Sequence, residues 1–443
     1  MRINLIDNNK GSENAGIFLR KDVSALFPIA DKTIAQLCKE NEKLLIFPYG
    51  IEESNDKVGD TSVMTLLNTS DPNIVRIQTG NVMGFIGVGN LQVKIKSRFD
   101  EGRDDYLLHY MLQKVLSFNF FNLNHNNEKE DVFDFVMFLF PYFLKKAMRQ
   151  GIYREYQTHR YNDANIKGTI DLGRHLSHNM PFVGKVAYCT REYAYDNSMT
   201  ELIRHTIEFM KFKKYGQSVL NIDRETMENV NTIIEHTPSY NKNERNAIIS
   251  KNLRQKTHPY YTAYQPLQSL CLQILRLEEI KYGETEDEIC GILFDGAWLW
   301  EEYVAKLLPD FKHPNNRNRK GGISLFTNRS YPQYPDFYND DIVLDAKYKH
   351  LENSVGREDI HQLVTYLYMM KKKYGGYIYP YSIEDINTSS PSSKYDTLRG
   401  YGGEIYRYGI EVCNNAKDYL SFCNAMRKVE ETFQQELIYF NCN

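Results

Sequence analysis

The run Ile342-Val343-Leu344-Asp345-Ala346-Lys347-Tyr348 constrains this chain more than any other segment. Its alternation predicts a β-strand with Val343, Asp345 and Lys347 on one face and Ile342, Leu344, Ala346 and Tyr348 on the other. The apolar face anchors the strand in a core. The opposite face then carries a carboxylate and an ammonium whose Cα atoms lie about 6.5 Å apart along the strand.

A second strand is expected just upstream, in Tyr334-Pro335-Asp336-Phe337. Pro335 fixes the entry and removes a backbone donor, which is tolerable at a strand's first position. Asn339-Asp340-Asp341 supplies a turn, so Asp336 and Asp345, nine residues apart, can meet across a hairpin. Two carboxylates pushed together need a cation or a proton between them. An oxygen-only ligand set that keeps some water suits Mg²⁺ or Mn²⁺ rather than zinc. Lys347, beside such an ion, can orient and help deprotonate a water or stabilise charge developing on a phosphate. An Asp-x-Lys pair alone is more often an exposed, ion-paired strand edge, so its neighbours decide.

Those neighbours add polar groups at compact spacing. In Leu293-Phe294-Asp295-Gly296-Ala297-Trp298-Leu299-Trp300-Glu301-Glu302-Tyr303-Val304, a helix expected over 293–308 places Glu301 on an apolar face. A carboxylate there is costly unless paired or metal-bound, and an ordinary salt bridge is the competing explanation. Downstream, Gln362 and Tyr366 sit at i and i+4 of a helix expected over 358–372, one above the other. Both can hydrogen-bond a phosphate or a site carboxylate, and both can equally be a packed pair.

The 443 residues allow about two to four domains. The expected architecture is α+β and multi-domain. It comprises a mostly-β N-terminal domain over 1–110 that contacts a partner, a mainly helical middle over 111–285, and a C-terminal αβββαβ core over 286–443. In the first, Leu44–Pro48, Ile74–Ile77, Val82–Val88 and Leu91–Lys96 read as strands, with a hairpin turn at Gly89-Asn90. A helical zone is expected from Asp105 and from Asp131 to Phe140, before Pro141. The middle holds strands near 168–172 and 185–189 and helices near 200–212, 224–236 and 266–278. The last has strands near 322–326, 334–338, 342–348, 376–380 and 403–412, and a C-terminal helix from Ala416.

Seven well-separated cysteines with no CxxC pair indicate reduced thiols rather than a disulfide framework or a zinc site. No apolar run reaches about 18 residues, and Met1–Asp7 lacks a basic-then-apolar leader, so a cytoplasmic protein without a membrane partner is expected. A net charge of −3 excludes a polyanion-binding protein of the basic-arm kind. Cationic clusters are local: Arg149, Arg154, His159 and Arg160, which also suit a solvated surface, and Lys312, His313, Arg317, Arg319 and Lys320, whose place just before the hairpin favours contact with a DNA backbone.

Pro335-Asp336 followed by Asp345-Ala346-Lys347, behind a helix bearing Glu301, resembles the PD-(D/E)xK nuclease superfamily with its restriction-endonuclease-like fold. Gln362-x-x-x-Tyr366 resembles the QxxxY motif of its RecB-like branch. More narrowly, Leu299–Val304, Ile342–Tyr348, Gly84–Val88 with Leu91–Ile95, and Tyr193–Asn197 resemble the McrC family, the nuclease subunits of McrBC-type and LlaJI-type restriction systems. One departure is Lys96-Ser97, where that family's strand ends in a Pro-Lys-like pair.

The resemblance implies a subunit that cuts double-stranded DNA with Mg²⁺ or Mn²⁺ as part of a defence against foreign DNA. Asp336, Asp345, the Ala346 carbonyl and Glu301 would hold metal, Lys347 would position or activate water, and Gln362 and Tyr366 would support the site. It also implies an McrB-like AAA+ GTPase partner whose hydrolysis this subunit stimulates. The residues agree on one point: no GxxxxGK[ST] loop occurs, and Gly184-Lys185-Val186 lacks the upstream glycine and the hydroxyl residue, so the motor must be another chain. Two other functions fit the same residues, a stand-alone RecB-like repair nuclease and a non-catalytic assembly factor that activates a partner NTPase.

Overall fold

A computed structural model describes residues 2–9, 16–41, 44–48, 57–88, 91–100, 105–116, 131–213, 216–281, 289–314, 320–382, 392–400 and 402–441. The turn expected at Gly89-Asn90 and the cationic Arg317 and Arg319 lie outside the described residues. The chain is a mixture of helices and sheets and divides into two compact units, 1–127 with 283–443, and 128–282. The first and last of the three expected segments thus share one unit.

The first unit contains two five-stranded sheets. One runs Arg2–Ile6, Leu91–Lys96, Val82–Val88, Ile289–Asp295, Leu44–Phe47 in spatial order, with parallel outer pairs and antiparallel inner ones. Its apolar side chains, among them Ile3, Leu5, Ile46, Ile86, Val93, Ile95 and Leu293, join one core with a smaller three-stranded sheet made by Ile17–Leu19, Ile74–Thr79 and Met64–Asn68. Gly84 has φ +131°, and a Cβ there would stand 2.2 Å from the Ile292 carbonyl, so the close approach of Val82–Val88 to Ile289–Asp295 requires glycine.

Ile289–Asp295 departs from expectation, because the helix predicted from Leu293 begins only at Gly296. A continuous apolar run buried on both faces has no period to separate strand from helix. Here the backbone of Gly291–Phe294 pairs with Leu44–Phe47, which settles it as a strand. Asp295 then caps the following helix, its carboxylate accepting the Trp298 N–H at 2.7 Å.

The second sheet runs Phe337–Tyr338, Ile342–Ala346, Tyr374–Tyr381, Glu404–Glu411, Ser393–Thr397. Its three middle strands are parallel and its two edges antiparallel. The helix Arg357–Met370 covers one face, where Val343, Leu363, Tyr366, Leu367, Tyr377 and Tyr379 form the core. The strand expected near 322–326 is only Ile323–Ser324, paired with Pro332–Gln333 as a separate ribbon. Ser393–Thr397 was not foreseen, because a polar, largely exposed edge strand shows no apolar alternation.

In the second unit, the helices Asp131–Met148, Ser198–Lys211, Arg224–Glu235 and Tyr264–Lys281 bury Leu139, Leu202, Ile203, Ile207, Val230, Leu267, Leu270 and Ile274. The first continues past Phe140 with Pro141 inside it, beyond the expected end. Asn197 caps Ser198–Lys211, accepting from Met199 N at 3.0 Å and Thr200 N at 3.2 Å. A three-stranded sheet, Glu155–Asp163, Val186–Ala194, Thr169–Ile170, completes the unit. Its first strand is mostly polar and largely exposed, so no apolar alternation marks it, and only His159 and Arg160 stand out in the sequence as cationic residues.

Candidate functional site

The hairpin forms through its turn. Asn339 Oδ1 accepts the N–H groups of Asp341 at 2.9 Å and Ile342 at 3.0 Å, which sets Phe337 opposite Leu344 and Tyr338 opposite Val343. That register brings Asp336 to the end of the next strand, where its Oδ2 accepts the Ala346 N–H at 2.7 Å. Asp345 is fully buried on a central strand, and Lys347 Nζ lies 2.7 Å from its Oδ2. The Lys347 main chain is held as well, its N–H donating to the Ile378 carbonyl at 2.8 Å.

The helix Arg357–Met370 delivers the next layer. Lys347 Nζ donates to Gln362 Oε1 at 3.0 Å, Gln362 Nε2 donates to the Tyr366 hydroxyl at 2.8 Å, and that hydroxyl donates to the Tyr334 carbonyl at 3.3 Å. One relay therefore links the lysine, both residues of the i, i+4 pair and the approach to Pro335. Glu301 is positioned by the helix Gly296–Leu307, which Trp300 fastens to the sheet through an indole N–H to the Ile378 carbonyl at 3.2 Å. Its carboxylate stays about one-third exposed and acts on Asp336 through charge.

The electrostatics follow from this crowding. Burial, then the neighbouring charges of Glu301 and Asp345, push Asp336 well above the usual carboxylate range, against the opposing pull of Lys347. Burial alone would lower Lys347, but Asp345 and Asp336 more than offset it and hold the ammonium above its ordinary value. Burial raises Tyr366, which remains a neutral hydroxyl able to donate.

Asp345 Oδ1, completely enclosed, lacks a hydrogen-bond donor as long as Asp336 is ionised. Orphaned buried carboxylate oxygens of this kind are costly without a cation. No three His, Cys, Asp or Glu side chains among the described residues stand ready-made around an ion; the close pair is Asp336 and Asp345, with Lys347 beside it. The donors that could complete a hard-cation shell are those two carboxylates, the Ala346 carbonyl and Glu301, all oxygen.

Two neighbours escaped the sequence reading. Asp359 faces Lys347 at 3.8 Å and Lys349 at 2.5 Å, and its place three residues before Gln362, on the same helix face, was the available signal. His313, noted only as one charge in a cationic loop, hydrogen-bonds the Asp336 carbonyl at 2.7 Å. Nothing in one dimension ties residue 313 to residue 336.

Residues 77–380, which contain every one of these side chains, match the family described as McrBC 5-methylcytosine restriction system component. The chain belongs to the McrBC family. A solved chain from a tetradecameric assembly of Thermococcus gammatolerans McrB AAA+ hexamers with bound McrC shares the fold end to end, with TM-score 0.53 at 14% identity, covering 99% of this chain and 100% of that one. A second chain, from the cryo-EM structure of the Thermococcus gammatolerans McrBC complex, gives TM-score 0.33 at 14% identity over 70% of this chain and 87% of that one. No curated protein matches. Among the described residues of this McrBC-family chain, no helix is long and apolar enough to cross a membrane.

Proposed function

We propose that the chain is the DNA-cutting, PD-(D/E)xK-type subunit of an McrBC-type restriction system. It would hydrolyse phosphodiesters with Mg²⁺ or Mn²⁺, and it would work with, and stimulate, an McrB-like AAA+ GTPase. The observation that carries this reading is the Asp336–Asp345 pair, two carboxylates gathered at the end of a parallel strand with Glu301 close by and Lys347 Nζ 2.7 Å from Asp345 Oδ2.

Asp336, Asp345, the Ala346 carbonyl and Glu301 would hold the ion. A bound divalent ion would neutralise the pair, lower the pKa of its water and polarise a phosphoryl oxygen. Lys347, charged and kept in place by Gln362, donates to the attacking water or to a phosphate oxygen as negative charge builds. Gln362 and Tyr366 keep the lysine from swinging into solvent. Family membership supports a restriction role, and the McrB AAA+ hexamers with bound McrC in the Thermococcus gammatolerans assembly support an AAA+ partner. The absent phosphate loop leaves energy supply to that partner.

The test is DNA cutting by the full chain with its AAA+ partner. Asp345→Ala and Lys347→Ala should each abolish cleavage while far-UV circular dichroism and partner co-purification stay as in wild type. Cleavage retained in either variant overturns the assignment.

A further inference from the structure

We infer that His313 is a positioning residue that braces Asp336 from the main-chain side and so sets the geometry of the metal-binding carboxylates. This rests on the metal-dependent reading above and extends it to a residue outside the Asp, Lys, Glu and Gln-Tyr set.

The loop after the Gly296–Leu307 helix is docked onto the hairpin by a two-bond bridge, Lys312 N–H to the Tyr338 carbonyl at 2.8 Å and Tyr338 N–H to the Lys312 carbonyl at 3.0 Å. That bridge seats the His313 ring flat on Phe337, with centroids 4.7 Å apart and planes 18° apart. From there Nδ1 reaches the Asp336 carbonyl at 2.7 Å. A carbonyl only accepts, so Nδ1 carries the hydrogen and the tautomer is fixed. Nε2 then points toward Glu301, 3.8 Å from its Oε1.

Asp336 is thereby held at both ends, its carboxylate by Ala346 N–H and its carbonyl by His313. A carboxylate pushed against like charges moves away unless its backbone is restrained. His313 supplies that restraint, and its contact to Asp336 is main-chain rather than through the titrating group. Hydrogen-bond partners that fix the position of a metal-binding residue change metal affinity by about 10–100-fold when lost.

The experiment is a Mn²⁺ titration of the full chain, free Mn²⁺ being read by electron paramagnetic resonance, on wild type, His313→Ala, His313→Asn and His313→Gln, with plasmid cleavage by each protein together with its AAA+ partner measured in parallel. Asparagine can place an N–H where Nδ1 stands, and glutamine reaches only the Nε2 position. Expected are Mn²⁺ binding about 10–100-fold weaker in His313→Ala and His313→Gln, and recovery to within a few-fold of wild type in His313→Asn. The Ala and Asn variants differ by one hydrogen bond, so a general folding defect would lower both and overturns the proposal. Equal binding in all four proteins overturns it as well, as does wild type that binds no Mn²⁺. If wild type binds Mn²⁺ and the series behaves as expected while no protein cuts DNA, the nuclease reading falls and His313 stands; if all four cut and bind alike, His313 falls and the nuclease reading stands.

Discussion

The sheet built on Val82–Val88 and the sheet built on Ile342–Ala346 both bury carboxylates, and they treat them differently. In the first, Asp7 is fully buried with Arg98 at 3.1 Å, and the Arg98 backbone N–H donates to its Oδ1 at 2.6 Å. The same guanidinium bonds Asn81 and the Tyr348 carbonyl and lies 4.7 Å over the Tyr348 ring. In the second, Asp336 and Asp345 are packed against each other with Glu301 close by, and Lys347 is the ammonium that faces them. Asp7 thus receives a guanidinium as its counter-charge. Asp336 instead meets two further carboxylates and one ammonium, and in the proposed nuclease reading that imbalance is what a cation would relieve.

The largest effect separating the two sheets should come from Arg98→Ala. It leaves Asp7 buried without its cation and frees the residue that follows Lys347, so stability should fall by about 3–5 kcal/mol, read as a lower urea midpoint with unchanged slope. A loss under about 1 kcal/mol would mean the first sheet's charges are no better matched than the second's.

A smaller effect concerns pH. Burial pushes Asp7 up to about 6 despite the opposing pull of Arg98. A carboxyl whose folded value lies above its unfolded one stabilises the fold at low pH and loses that contribution as pH rises. Relative to Asp7→Asn, wild type should therefore lose stability between about pH 4 and about pH 6 and run parallel to the variant above that window. Parallel curves throughout would place Asp7 in an ordinary solvated setting.

Much of the site was legible in the sequence because its parts are local. Asp336, the Asn339 turn and Asp345 belong to one hairpin, and Gln362 and Tyr366 to one helical turn, so alternation and i, i+4 spacing place them without knowledge of the rest. His313 and Asp359 reach the site through loop docking and helix packing, which no spacing encodes. The same division runs through the fold. Strands with alternating apolar residues, such as Leu91–Lys96, announce themselves. Ile289–Asp295 is apolar on both faces, while Glu155–Asp163 and Ser393–Thr397 are polar, and all three are strands because of what they pair with.

Melting wild type and Asp345→Asn with and without Mn²⁺ tests whether the Asp336–Asp345 pair is an electrostatic liability which a cation completes. Without metal the variant should melt at or above wild type, because a like charge has been removed, and Mn²⁺ should raise the melting temperature of wild type alone. A metal-free variant that melts well below wild type, with Mn²⁺ stabilising both proteins equally, would contradict it.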